Sequence, residues 1–136
     1  MSHEQAQANL ETVFDWMNAM RYRDIDTIAG LFDSAVVWVD VAGGVACDGR
    51  EHALAWLRAA PTELNEVDAV ELLANDEHVV LGVRNHARKE LAGIRLEDGQ
   101  SFTVFTLTDG KIVHLRGHVH RADALAEAGL ADYSWR

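Results

Sequence analysis

An α+β domain, with helices gathered on one side of a curved, mostly antiparallel sheet, is the fold class this sequence predicts. Three observations carry the prediction. Helical periodicity dominates the first sixty or so residues, β-rich runs separated by turn residues dominate from Val67 onward, and a short apolar-periodic segment closes the chain. With 136 residues, one hydrophobic core is the default, and no repeat, low-complexity stretch or linker-like composition divides it, so 1–136 reads as a single domain.

In order, Leu10, Val13, Phe14, Met17 and Met20 recur at the spacing of a helix with one buried stripe over residues 3 to 22, and Trp16 lies at its edge. The segment "RDIDTIAGLF" repeats the pattern with Ile25, Ile28, Leu31 and Phe32, and Asp24 or Asp26 is placed to accept the free amides of its first turn. The run "AVVWVDV", residues 35 to 41, is β-branched and aromatic and predicts a strand. "DGREHALAWLRAAP" predicts a third helix, capped by Asp48 and ended by Pro61. "VDAVELLA", "HVVLGVRNHARKEL", "GQSFTVFTL" and "KIVHLRGHVH" predict a four-stranded meander, with "NDE", "LEDG" and "TDG" as its turns. "RADALAEAG" predicts a last helix with Gly129 as a left-handed cap.

Twelve Lys and Arg against 22 Asp and Glu leave a formal charge of −10, which repels nucleic-acid phosphates and anionic lipid. No apolar run approaches the roughly 20 residues of a membrane span, and the polar, acidic "MSHEQAQANLE" does not read as a signal peptide. With Cys47 the only cysteine, an internal disulfide is impossible. A cytoplasmic protein is expected, with no nucleic-acid and no membrane partner.

The strand that carries Trp38 also carries Asp40. Alternation puts both on one face, and a carboxylate beside an indole in a dry hollow has a raised pKa, which suits proton transfer near neutrality. The competing reading is a strand-ending aspartate that binds the amides of "VAGG".

The element order, with "RDIDTIAGLFDSAVVWVD", "DGRE" and "DGKIVHLRGHVHRADALAEAGL", resembles the nuclear transport factor 2-like superfamily over nearly the whole chain. That superfamily is a cone shared by ketosteroid isomerases, SnoaL-like polyketide cyclases and limonene-epoxide hydrolase. The resemblance implies a hydrophobic pocket within the cone, a homodimer formed through the convex sheet face, and Asp40 at the position of the isomerase base. At the places where the isomerases carry a tyrosine and a protonated aspartate as enolate donors, this chain has Trp16 and Thr103. In "VRNHAR", Arg84 and His86 share a face; the resemblance to the cyclases and the epoxide hydrolase turns them inward, Arg84 as fixed positive charge and His86 as an acid or base. Alignment to the isomerases instead turns Val83 and Asn85 inward and leaves Arg84, His86 and Arg88 convex.

The histidines of "HLRGHVH", His114, His118 and His120, alternate with Val113, Leu115, Gly117 and Val119, residues suited to the cone wall. They are therefore expected on the convex face, and no metal site and no cofactor are expected. Where the cyclases and the epoxide hydrolase carry an aspartate, this chain has Gly117. Trp16, Trp38 and Trp56, with Thr103 and Phe105, are expected to line the cone around a flat or cyclic apolar small molecule, and Trp135 in the tail to act as a lid. The expected function is a cofactor-independent SnoaL-like enzyme performing proton transfer of isomerase, cyclase or lyase type, with Asp40, His86 and Arg84 catalytic. Its rivals are a non-catalytic binder of a hydrophobic small molecule and a dimeric interaction domain of the same fold.

Overall fold

The computed structural model describes residues 3–39, 46–59, 69–85, 89–91 and 94–130. The elements run α1 (His3–Tyr22), α2 (Ile25–Leu31), β1 (Phe32–Val39), β2 (Ala46–Asp48), α3 (Arg50–Ala59), β3 (Ala69–Ala74), β4 (His78–Arg84), β5 (Glu90–Leu91), β6 (Ile94–Arg95), β7 (Gln100–Thr108), β8 (Lys111–His118) and α4 (Arg121–Ala128). Six strands form one sheet in the order β2-β1-β8-β7-β4-β3, and β5 and β6 form a separate hairpin. The β1–β8 pair is parallel and the others are antiparallel, so the predicted meander is β3, β4, β7 and β8. This is the expected α+β cone architecture. No described helix is long and apolar enough to cross a membrane.

Local chemistry sets the boundaries. Arg23 takes a left-handed conformation (φ 53) and ends α1, with its amide on the Met20 carbonyl and that of Asp24 on Ala19. The Arg23 guanidinium then donates to the Leu57 carbonyl at 2.9 Å, fixing the α1–α2 corner to α3. Asp24 caps α2 by accepting from the Thr27 amide at 3.2 Å and the Thr27 hydroxyl at 2.6 Å. Those two bonds, the hydroxyl's first, hold the Asp24 carboxyl below its ordinary value of 3.8. Asp109 and Gly110 both have positive φ (52 and 77), as a two-residue I′ hairpin between Thr108 and Lys111 requires. Gly129 (φ 72, ψ 32) is the left-handed cap of α4.

β1 begins at Phe32, where periodicity predicts the end of a helix. Its pairing with β8 shifts between Phe32 and Val37, and inside that bulge the Asp33 carboxylate accepts the Ala35 amide at 2.9 Å. The bulge keeps both Phe32 and Val36 buried, where strict alternation from Ala35 would start the strand later.

The sheet is covered on both faces. On the inner face α1 to α3 meet Phe32, Val36, Cys47, Val79, Leu81, Phe105, Leu107, Ile112 and Leu115. On the outer face α4 lays Ala124, Leu125 and Ala128 on Val80, Phe102 and Val104. Two polar devices hold that outer layer. Arg121 of α4 makes a bidentate pair with Glu71 of β3 at 2.9 and 2.7 Å, both side chains nearly buried. Asn75 in the β3–β4 turn donates to the Ala128 carbonyl at 2.8 Å and accepts from the amides of Glu77 and His78, while its own carbonyl accepts from buried Asn9 of α1 at 3.1 Å. Much of the outer surface that the resemblance assigns to dimerisation is thus occupied by a helix of the same chain.

Candidate functional site on the inner face

Strand pairing arranges the inner face as rows across the sheet. The deepest of three runs Cys47, Trp38, Leu115, Phe105, Val79 and Ala74; the next runs Gly117, Thr103, Leu81 and Leu72; the outermost runs Ser101, Val83 and Val70. Burial falls along this order. Cys47, Leu115, Phe105 and Val79 are buried, Gly117 and Thr103 are intermediate, and Val70 is exposed. The inner face is thus most buried along the first row and half-buried at Thr103, Gly117 and Val83.

Over the deepest row lies a chain of aromatic rings. Trp16 of α1 meets Phe105 edge to face at 4.9 Å and Trp38 at 6.0 Å. Trp38 meets Phe32 at 6.2 Å and Trp56 of α3 at 5.3 Å. Each such contact contributes about 0.5–1.5 kcal/mol beyond area burial. Trp56 is 40% exposed and forms the rim of this cluster. The structure thus brings Trp16, Trp38, Trp56 and Phe105 together, with Thr103 one row nearer the opening.

Trp16 is 7% exposed, and its indole Nε1 is buried with no hydrogen-bond partner among the described residues. A buried donor left unmade costs about 1–3 kcal/mol, so native proteins rarely retain one without a use. The three described rows carry no carboxylate, imidazole or cation. Their polar side-chain groups are the Thr103 and Ser101 hydroxyls, the Cys47 thiol and the Trp38 indole N–H.

Arg84 is placed elsewhere. It pairs with Gln100 and Ala69 and has the parity of Val80, which packs beneath α4, so it belongs to the outer face. Its Nε lies 3.5 Å from an Asp98 carboxylate oxygen in the turn before β7. Val83 takes the inner position, the isomerase-like register. The inward placement of Arg84 is therefore corrected: with a strand period of two, a one-residue difference in register moves the side chain through the sheet. Asp40 and His86, and Trp135 in the tail, lie outside the described residues.

His114 and His118 share the outer face with Thr106 and Phe102, as the parity of their neighbours predicts, and Gly117 is inside opposite Thr103. His118 Nε2 lies 2.5 Å from Glu127 of α4, and His120 lies 3.3 Å from Glu97. Among the described residues no three His, Cys, Asp or Glu converge on a common point. Sequence reasoning gave no place in the cone to Cys47, Ser101 or β2. A three-residue strand carries too little alternation to be seen.

The family model for the SnoaL-like domain matches residues 13–115, which include every inner-face residue named above except Gly117. The chain belongs to the SnoaL-like domain family. No curated protein matches it. Among solved structures, this SnoaL-like domain is similar to Bal32a from a soil-derived mobile gene cassette, with 27% identity, coverage of 97% of this chain and 99% of that one, and a TM-score of 0.64. It is also similar in fold to a protein from Jannaschia sp. CCS1 provisionally described as a SnoaL-like polyketide cyclase, at 18% identity, 98% and 99% coverage and TM-score 0.63. A third is a Kribbella flavida DSM 17836 protein provisionally described as a ketosteroid isomerase, at 16% identity, 85% and 80% coverage and TM-score 0.64.

Proposed function

We propose that this SnoaL-like domain is a cofactor-independent acid–base enzyme that moves a proton on an uncharged, flat or cyclic small molecule bearing a carbonyl oxygen. The ligand enters at the less buried end of the inner face, against Thr103 and Gly117, and lies on the aromatic chain of Trp16, Trp38, Trp56 and Phe105. The observation that carries this reading is the Trp16 indole N–H, a donor held among apolar rings with no acceptor among the described residues. A carbonyl oxygen placed there relieves the orphan donor, and the bond strengthens as the oxygen becomes enolate-like. The described rows carry no cation, so an anionic ligand would be buried without a counter-charge and is strongly disfavoured.

Asp40 is the base in this proposal. Its sequence parity with Trp38 and its family position support the role. Asp40 takes the proton and returns it, while Arg84, on the opposite face, and His86, which shares its sequence parity, have no part in the proposal. A cytoplasmic setting, consistent with a lone buried cysteine, belongs to the same reading.

The test is the exchange of α-protons of 2-tetralone in D2O, followed by NMR. The wild-type chain is expected to accelerate exchange above buffer, and Asp40→Asn to lower that rate by about 10²-fold or more, within the range a positioned base contributes. Equal exchange by the two proteins would refute Asp40. The uncharged lining also supports a second reading, a binding protein for neutral hydrophobic molecules; its signature is saturable 2-tetralone binding without exchange.

A further inference from the structure

Two glycines lie within central strands of the main sheet, Gly82 in β4 and Gly117 in β8, and both strands are hydrogen-bonded on both sides. A glycine weakens a strand, having no side chain to pack and more freedom to lose on folding. It is retained for a conformation closed to other residues, for a bulge, or for the close approach of a second backbone or a ligand. Neither Gly82 nor Gly117 has a positive φ. Neither stands at a register shift: β4 pairs regularly with β3 and β7, and the shifts along β8 fall near Ile112, distant from the Thr103–Gly117 pair. Close approach is the use that is left.

For Gly82 the fold supplies it. Gly82 is buried on the outer face between Glu71 and Phe102, where α4 packs on β4 and sends Arg121 to Glu71. On the inner face Gly117 has no comparable neighbour. Among the described elements α1 approaches β3 and β4, α3 approaches β1 and β2, and neither helix backbone comes as near to β7 or β8. These two strands floor a gap between the helices. The indoles of Trp16 and Trp38, which reach across it, meet Phe105 and Phe32 on the more buried side. Gly117 lies one row further out, half-buried and opposite Thr103.

We infer that Gly117 determines specificity for the shape of the ligand: its bare backbone receives a small substituent that stands out of the plane of the ligand's ring. This rests on the reading of the inner face as the ligand site, and adds that the ring is not flat throughout. A ring lying on the aromatic chain presents one face to the sheet. That face meets the side chains of Leu115 and Thr103, which stand off the backbone, and over Gly117 a group on the ring can reach the strand itself. Inner positions along one strand are about 7 Å apart and cross-strand Cβ atoms about 4.5–5.5 Å, so the notch takes a single methyl-sized branch and not a second ring. Buried Leu115 on one side and the Thr103 hydroxyl on the other make it a place for an uncharged branch.

Tryptophan quenching by 2-tetralone and by 1,1-dimethyl-2-tetralone, which carries a methyl on each side of its ring plane, tests the inference. The wild type is expected to bind the dimethyl ketone at least as tightly as 2-tetralone, and Gly117→Val to move the ratio of the two dissociation constants about tenfold or more toward 2-tetralone. A melt of the ligand-free protein reads the notch itself. Gly117→Ala is expected to raise the midpoint by about 1–4 °C, because alanine suits a strand interior better than glycine. A lowered midpoint, the sign that side chains of the chain itself fill the space, overturns the inference, and so does a ratio that neither substitution moves. Should Gly117→Val misfold, Gly117→Ala decides, with a shift of about threefold in the ratio expected. Proton exchange separates this inference from the reading beneath it. A ratio that shifts when the wild type exchanges no protons removes the enzyme and keeps the notch; exchange with an unmoved ratio removes the notch and keeps the enzyme. Binding of neither ketone removes both.

Discussion

An indole N–H on the inner face that no described residue accepts makes Trp16 the most informative single residue. Trp16→Phe removes the donor but also part of a buried ring, and the two effects on stability oppose each other. The expected net loss in urea unfolding is below about 2 kcal/mol, less than the roughly 3–5 kcal/mol of truncating a buried aromatic to alanine. The same change is expected to weaken 2-tetralone binding about fivefold, the worth of one hydrogen bond of about 1 kcal/mol, read by quenching of Trp38 and Trp56. Unaltered affinity would remove Trp16 from the ligand's contacts. Periodicity places Trp16 at the edge of the α1 stripe, but nothing in a sequence says where Nε1 ends or whether an acceptor awaits it. Arg84 shows the opposite difficulty. Its face depends on register alone, and "VRNHAR" is polar on both parities, so no apolar partner residue chooses between the two placements. In "HLRGHVH" the intervening Leu115 and Gly117 do choose, and the histidines fall outside as their neighbours predict.

Elements were legible where a terminus carries its own chemistry. Asp24 and Gly129 mark helix ends through an amide acceptor and a left-handed φ, and both act as caps in the fold. β2 and the bulged start of β1 were not legible, because their conformation is fixed by partners distant in sequence: Cys47 by Trp38, and Phe32 by Ile112. Asp24 also yields a pH prediction. Its native pKa lies below the unfolded value, so its contribution is present above that value and is lost as pH falls through the native one. The difference in melting temperature between wild type and Asp24→Ala should accordingly be constant near neutrality and shrink as pH drops below 3.8. A difference that widened with acid would contradict the capping assignment. At α4, Asn75→Ala removes the acceptor of two turn amides and the donor to Ala128. At about 1 kcal/mol per bond, a loss of roughly 2–3 kcal/mol is expected in urea unfolding, with faster amide exchange in residues 121–128. A loss confined to the β3–β4 turn, with α4 exchange unchanged, would show that α4 is held by apolar contacts and the Arg121–Glu71 pair alone.

Across the whole molecule, burial and charge are sorted by direction. The inner face grades from buried Val79 and Phe105 to the half-buried row of Val83 and Ser101, while on the outer face α4 covers Val80, Phe102 and Val104 and leaves Arg116 exposed.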